Sequence, residues 1–227
     1  MQKKKLVVLT GAGISAESGL KTFRDSDGLW EGYSIEEVAT IDAWWENPQR
    51  VLDFYNERRR NVLTAFPNAA HLGLVTLEQR YDVQIITQNV DDLHERAGSS
   101  KILHLHGEIM KMRSEKNERL SYSIDEDIKL GDKAEDGAQL RPFIVWFGEA
   151  VPLIGAAADM VASADIFAVI GTSLQVYPAA GLLSYVTSGI PIYIIDKVIP
   201  QTTHTPGIIA FEKPATLGIS DLLHELM

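Results

Sequence analysis

The chain has no cysteine among its 227 residues. That excludes disulfides, thiolate nucleophiles and cysteine-held zinc together. It also lacks any apolar run near the roughly 18 residues of a membrane span, so no membrane association is expected. Basic residues are in deficit, 21 against 31 acidic ones, for a formal charge of −10. Such a balance disfavours tracking of nucleic-acid phosphates, and no specific nucleic-acid partner is expected. The basic start "MQKKK" leads into an apolar stretch of only Leu6 to Leu9, shorter than the roughly 7 to 15 residues of a signal-peptide core. It reads as the first strand of a cytoplasmic protein. The H-x-x-E-H and H-E-x-x-H spacings are missing too, so a metal site built from Asp91, Asp92, His94, His104 and His106 ranks below structural histidines.

What is present is an alternation. Val- and Ile-rich runs at 5–10, 83–87, 102–105, 143–146, 166–170 and 191–195 read as buried strands. Helical patterns at 48–66, 68–79, 153–164, 178–188 and 219–226 lie between or after them. Strands alternating with helices imply an α/β protein with a mostly parallel, doubly wound sheet. Two excursions, 19–47 and the polar, turn-rich 108–140, form a small second lobe in this reading. In an open parallel sheet the ligand lies beyond the carboxyl ends of the strands, where Gly11, Gln88, His106 and Gly171 all fall.

The turn "LVVLTGAGISAESG" places Gly11, Gly13 and Gly19 after a strand, a spacing that matches neither G-x-G-x-x-G nor the P-loop. Gly11 and Gly13 allow backbone to approach a diphosphate, and a helix starting near Ser15 offers N–H groups to it; a tight turn with no ligand uses the same glycines. "GTSLQVYPAA" repeats the arrangement with Gly171, Thr172 and Ser173 after "IFAVI", and two such turns suit a dinucleotide. Asp196 stands just past another strand, where a carboxylate can accept from ribose hydroxyls. "TQNVDD" sets Gln88, Asn89 and Asp91 after a strand, a group able to hold a polar heterocycle or stabilise a developing cation. In "LHLHG", His104 and His106 share one strand face, and His106 at its end suits general-base chemistry. Tyr55 and Arg58 are neighbours on a helix face. They form either a clamp for a carboxylate or part of a solvated basic face with Arg59 and Arg60.

Taken together, "GAGISAESG", "FRD", "TQNVDD", "LHG", "RPFIVWFGE" and "GTSLQVYPA" resemble, in order and spacing, the sirtuins, the NAD-dependent protein deacylases. The likeness runs from about Leu6 to about Leu223. It implies one catalytic domain, with a Rossmann-like core at 1–18, 67–107 and 141–227 and a small lobe from 19–66 and 108–140. It implies an NAD site formed by Gly11, Ala12, Gly13, Ser15, Glu17, Phe23, Arg24, Asp25, Trp30, Gln88, Gly171, Thr172, Ser173, Asp196 and Ala215. It makes His106 the general base, with Asn89 and Asp91 beside the nicotinamide. Val145, Phe147, Gly148, Glu149 and Val176 would flank a substrate peptide bound as an added strand. The implied chemistry has the acyl oxygen of a modified lysine attack the ribose carbon bearing nicotinamide while His106 takes a proton from a ribose hydroxyl. Products are free lysine, nicotinamide and O-acyl-ADP-ribose.

Within that family Tyr55 and Arg58 match the pair of the desuccinylase class, and Ala39 matches its small residue. The expected substrates are therefore acylated lysines of proteins, succinyl- and malonyl-lysine first, with possible deacetylation. Asp196 stands where the family often has asparagine; accepting from both ribose hydroxyls, it would favour NAD over NADP. Ser114 and Asn117 occupy the first C-x-x-C spacing of the family's zinc module, and Asp136 stands near its last cysteine. No zinc is expected, and Ile109, Met110, Met112, Leu120, Tyr122 and Ile124 would have to hold that module instead. Transfer of ADP-ribose to protein, hydrolysis of NAD, and non-catalytic sensing of NAD or O-acyl-ADP-ribose are the competing functions. A dehydrogenase fits least, since the glycine spacing differs.

Overall fold

The computed structural model describes residues 3–21, 29–30, 33–199 and 207–227, with residues 29–30 described by backbone alone. In chain order the elements are β1 (Lys5–Thr10), α1 (Ala12–Ala16), β2 (Leu29–Trp30), β3 (Tyr33–Ser34), α2 (Ile35–Val38), α3 (Ile41–Glu46), α4 (Pro48–Thr64) and α5 (Ala69–Leu77). Then come β4 (Asp82–Thr87), α6 (Leu93–Ala97), β5 (Ile102–His104), β6 (Gly107–Ser114), β7 (Ser121–Ser123), β8 (Leu140–Ile144), α7 (Ile154–Ala162) and β9 (Ile166–Ile170). A 3₁₀ segment (Ala179–Tyr185), β10 (Ile192–Asp196), β11 (Ile208–Glu212) and α8 (Ala215–Leu226) complete the chain.

The main sheet runs β11-β10-β9-β1-β4-β5, and every pairing in it is parallel. The chain leaves β1 toward β4 and β5, then crosses back to β9 on the other side of β1. This reversal opens a crevice beyond the carboxyl ends of β1 and β9, the place where doubly wound sheets hold ligands. The alternation in "LVVL" builds both faces. Leu6 and Val8 pack against α5 and α8 through Leu74, Leu77, Ile219 and Leu222. Val7 and Leu9 face α7 and the 3₁₀ segment through Ala157, Val161, Ala179 and Leu182. Asn68 caps α5 by accepting from the Ala70 N–H at 2.9 Å, and its amide donates to the Ile14 carbonyl at 2.8 Å. One side chain thus starts α5 and anchors α1, the short helix that follows β1.

Several expectations need correction. The stretch 143–146, expected among the buried strands of the alternation, lies partly in β8, which pairs antiparallel with β6 in the separate sheet β7-β6-β8. Residues 141–144, expected in the Rossmann-like core, thus pair with β6 of that separate sheet. The polar 108–140 stretch holds most of β6, whose Ile109, Met110 and Met112 pack in the apolar cluster of the small lobe while Glu108, Lys111 and Arg113 between them break the apolar pattern. The segment expected as a helix over 178–188 is 3₁₀; its buried residues Ala179 and Leu182 are three apart, the 3₁₀ repeat. Helix α8 starts at Ala215, four residues before the expected 219, and Gly218 within it makes room for Ile195 of the sheet. The edge strand β11 was not expected at all. Helix α1 starts at Ala12, so Ser15 lies inside it rather than near its start.

In the small lobe α4 packs on β6 and β8, and α3 packs on α4. Trp44, Val51, Leu52, Phe54, Tyr55, Ile109, Leu140 and Trp146 form its core, with Met110, Met112, Tyr122 and Ile124 against it. Leu120 is outside that cluster; its carbonyl accepts from the Ser114 N–H at 2.9 Å. Buried Ser114 donates to Asp136 at 2.7 Å and accepts from the N–H groups of Lys116 and Asn117 at 3.1 and 3.2 Å. Two positions that resemble zinc-cysteine sites are thus joined by a hydroxyl–carboxylate bond. Among the described residues no group of three His, Cys, Asp or Glu side chains could hold a metal ion, and no helix is long and apolar enough to cross a membrane.

Candidate active site

The crevice at the strand reversal is a cavity of about 480 Å³. Gly11, Ala12, Gly13 and Ser15 line it after β1, Gln88, Asn89 and Asp91 after β4, and His106 after β5. Gly171, Thr172 and Ser173 line it after β9, Asp196 at the end of β10 and Ala215 at the start of α8. The small lobe closes it with Ala39, Tyr55 and Arg58, and the segments flanking it add Val145, Phe147, Gly148, Glu149 and Val176. Glu17 does not line it. Its exposed carboxylate accepts from the Thr216 N–H at 3.1 Å and hydroxyl at 2.9 Å, tying α1 to α8. Phe23, Arg24 and Asp25 lie outside the described residues, and Trp30 is described by its backbone in β2 alone.

The two glycine turns meet each other. A Cβ on Gly11 would stand 2.6 Å from the Thr172 Cβ, and one on Gly13 would stand 2.7 Å from the Gly171 Cα. Gly13 also donates to the Gly171 carbonyl at 2.8 Å. The glycines at 11 and 13 are therefore required by the junction of the turns after β1 and β9, before any ligand is considered. A further bond, Gln88 Nε2 to Thr172 Oγ1 at 3.1 Å, joins the turn after β4 to the same junction.

The floor is a connected polar set. Asn89 donates from its amide to the Gly11 carbonyl and to Ser15 Oγ, each at 3.1 Å. Asp91 accepts from the Leu93 N–H at 3.2 Å and interacts with the Ser15 hydroxyl. Burial raises the Asp91 pKa, opposed by those bonds and by the charges of Arg58 and His104. His106 Nδ1 lies 3.1 Å from the Gln88 carbonyl. A carbonyl only accepts, so Nδ1 carries the proton and Nε2 is left as a base. Burial lowers the His106 pKa, with the Gln88 bond opposing, and so favours that neutral form. His106 lies past the end of β5, which stops at His104, so the two rings do not share a strand face as expected.

The lobe side is built on Trp146. Its ring packs on Tyr55 at 6.1 Å and Trp44 at 5.5 Å, and the Arg141 guanidinium lies 3.4 Å over it. Buried Arg141 grips Glu149 with two bonds of 2.8 and 2.9 Å and donates to the Ile144 carbonyl. Glu149 also accepts from the Trp146 N–H at 2.8 Å. Burial alone would raise the Glu149 pKa, but Arg141 outweighs it and holds the carboxyl below the ordinary value. Glu149 thus lines the cavity while its carboxylate organises the turn. Arg141 and Trp146 were not among the expected site residues. Arg141 grips a glutamate eight positions away across a turn, a pairing without periodic signal; Trp146 sat visibly inside "VWFGE". The Phe147 backbone exchanges bonds with Ala39 and Ile41 at 2.9 and 3.1 Å, which sets Ala39 against this segment. Tyr55 and Arg58, one turn apart on α4, are both buried. Burial pushes the Tyr55 phenol far above its ordinary value, so it stays protonated as a donor.

Known proteins resemble this chain over most of its length. The Sir2 family model matches residues 11–178. The chain is 54% identical over 224 residues to the NAD-dependent protein deacylase of Helicobacter pylori, covering 99% of this chain and 98% of that one. It is 54% identical over 226 residues to the protein of the same name from Bacteroides thetaiotaomicron, covering 96% of each. Among solved structures, a Sir2 homologue in complex with NAD superposes with a TM-score of 0.88 at 38% identity, covering 99% of this chain and 90% of that one. Sir2 bound to acetylated peptide gives 0.82 at 31% identity, covering 98% and 93%.

Proposed function

The chain belongs to the Sir2 family, and on that premise we propose that it is an NAD-dependent protein-lysine deacylase that prefers acyl groups ending in a carboxylate, succinyl and malonyl, while retaining deacetylation. One observation carries the acyl preference: Tyr55 and Arg58 are buried in the same cavity as His106 and Asn89, beside the small side chain of Ala39. A guanidinium with little access to water gains most from a partner that brings its own negative charge, and its fork matches the two oxygens of a carboxylate.

The residues present also fit NAD. A cavity of about 480 Å³ is of ligand size. It offers two backbone turns, the hydroxyls of Thr172 and Ser173, and Asp196 as an acceptor for ribose hydroxyls. When bound, NAD supplies the acyl acceptor, an ADP-ribosyl group that gives up nicotinamide. His106 Nε2 then takes a proton from a ribose hydroxyl. Asn89 and Asp91 favour the positive charge that develops as nicotinamide departs. Val145, Phe147, Gly148, Glu149 and Val176 flank the peptide as an added strand, and the Arg141–Glu149 pair keeps that rim in shape. The names of the two bacterial relatives and the acetylated-peptide complex of the structural neighbour support this reading. We read the protein as acting in the cytoplasm on other proteins.

The test is turnover of matched acetyl-, succinyl- and malonyl-lysine peptides with NAD. We expect kcat/KM to be higher for the two acidic acyl groups. A clear preference for acetyl-lysine overturns the acyl assignment, and NAD loss that ignores peptide overturns deacylation in favour of hydrolysis.

A further inference from the structure

His104, two residues before His106, does not line the cavity, and its ring has different partners. Its Nδ1 lies 3.3 Å from the Asn89 carbonyl and its Nε2 lies 2.6 Å from Glu95 Oε1. Neither a carbonyl nor a carboxylate can donate. Both bonds therefore form together only when both ring nitrogens carry protons, that is, when the ring is an imidazolium. His106, with a single such partner, needs no second proton. The two rings hold successive carbonyls, those of Gln88 and Asn89, in the turn that also carries Asp91. The His104 side chain is 9% exposed and that of Glu95 is 41% exposed, so the pair is reached by water only from the Glu95 side.

We propose that His104 is a positioning residue: as an imidazolium fixed by Glu95, it pins the Asn89 carbonyl and places a positive charge near buried Asp91. The charged and titratable groups around it are Glu95 and His94 on α6, Glu108 on β6 and Asp91 in the turn after β4. Glu108 is itself held by Lys111 at 2.8 Å. Burial works to lower the His104 pKa, but the bond and charge of Glu95, aided by Glu108, outweigh it and leave the pKa raised. When the ring loses a proton, one of its two bonds becomes acceptor against acceptor. The Asn89 loop then loosens and Asp91 loses a neighbouring cation, while the peptide rim around Phe147 is untouched.

The kinetic part of this inference rests on the deacylase reading, so the first measurement does not use activity. Histidine side-chain NMR on the intact protein should find His104 titrating above the ordinary histidine value of 6.5 and His106 below it, with neutral His106 protonated at Nδ1. A His104 ring that titrates at or below 6.5 overturns the proposal. The second measurement is the pH profile of acetyl-lysine turnover. Glu95→Gln should move the alkaline limb of kcat/KM to lower pH and cut kcat about tenfold on that limb, with the peptide KM unchanged. Glu95→Asp should restore part of the loss. Superimposable profiles for parent and Glu95→Gln overturn the positioning role. Absence of turnover in the parent protein overturns the deacylase reading instead, and the NMR titration still decides the state of His104.

Discussion

Replacing Arg58 by Met keeps the length and apolar stem of the side chain and removes only the charge and the fork. Arg58 is 7% exposed and lines the cavity with Tyr55 one turn before it. A charge-assisted hydrogen bond to a carboxylate in such a place contributes about 1.5–3 kcal/mol, so desuccinylation should lose about 10- to 150-fold in kcat/KM. The same guanidinium also opposes the burial that raises the Asp91 pKa. Any loss through Asp91 falls on every acyl substrate, so the informative quantity is the succinyl-to-acetyl ratio of kcat/KM. The assay follows nicotinamide release from the two matched peptides at one pH, after circular dichroism has established that the variant melts like the parent. The ratio should fall by at least about tenfold. An unchanged ratio, with succinyl-lysine still used as efficiently, refutes the clamp.

Because burial lowers the His106 pKa, its base form persists below the ordinary histidine range. The acid limb of kcat/KM should lie below pH 6.5 and vanish as a separable feature in His106→Gln, which should turn over negligibly; a limb at or above 6.5 contradicts the assignment. His71 is fully buried, and burial together with the Arg96 charge lowers its pKa from 6.5 to about 4. Its folded pKa lies below its unfolded one, so the unfolded chain gains the proton first and stability falls as pH drops from 6.5 toward 4, by about 2 kcal/mol between pH 7 and 5. Urea unfolding at the two pH values should display that loss in the parent and a smaller one in His71→Gln; equal losses exclude His71 as the cause. Ser114→Ala leaves the N–H groups of Lys116 and Asn117 without their acceptor. It should cost about 1–3 kcal/mol and lower the melting temperature by several degrees; an unchanged melting temperature would remove Ser114 from what holds the small lobe.

Legibility followed local physics. The runs "KLVVLT" and "IFAVI" are β1 and β9 to the residue, because strands buried on both faces are continuously apolar and end at glycine or aspartate. The turns after β1, β4, β5 and β9 were legible for the same reason, since in a doubly wound sheet the residue after a strand faces the crevice. What escaped notice depends on distant partners. Strand β6 mixes Glu108, Lys111 and Arg113 with its apolar residues, α8 hides its first turn behind Gly218, and β11 pairs only at the sheet edge. Gly11 and Gly13 read as a phosphate cradle, yet the contact that demands them is the turn around Gly171. Glu17, adjacent to the site in sequence, turns away toward Thr216. Tyr55 and Arg58 are buried rather than part of a solvated face. Arg59 joins them inside, donating to the Ile109 carbonyl at 2.9 Å, while Arg60 stays outside on Asp127. A run of three arginines thus divides by helix angle.

In the proposed reaction the bound dinucleotide is consumed in step with removal of an acyl group from lysine. Stoichiometry tests it directly: the protein is incubated with NAD and a succinyl-lysine peptide, and nicotinamide, free lysine peptide and O-succinyl-ADP-ribose are counted by mass spectrometry. Equal amounts of all three are expected, with no nicotinamide released when peptide is left out. Nicotinamide and ADP-ribose appearing while the peptide stays acylated, or free succinate in place of the ribose ester, would contradict it.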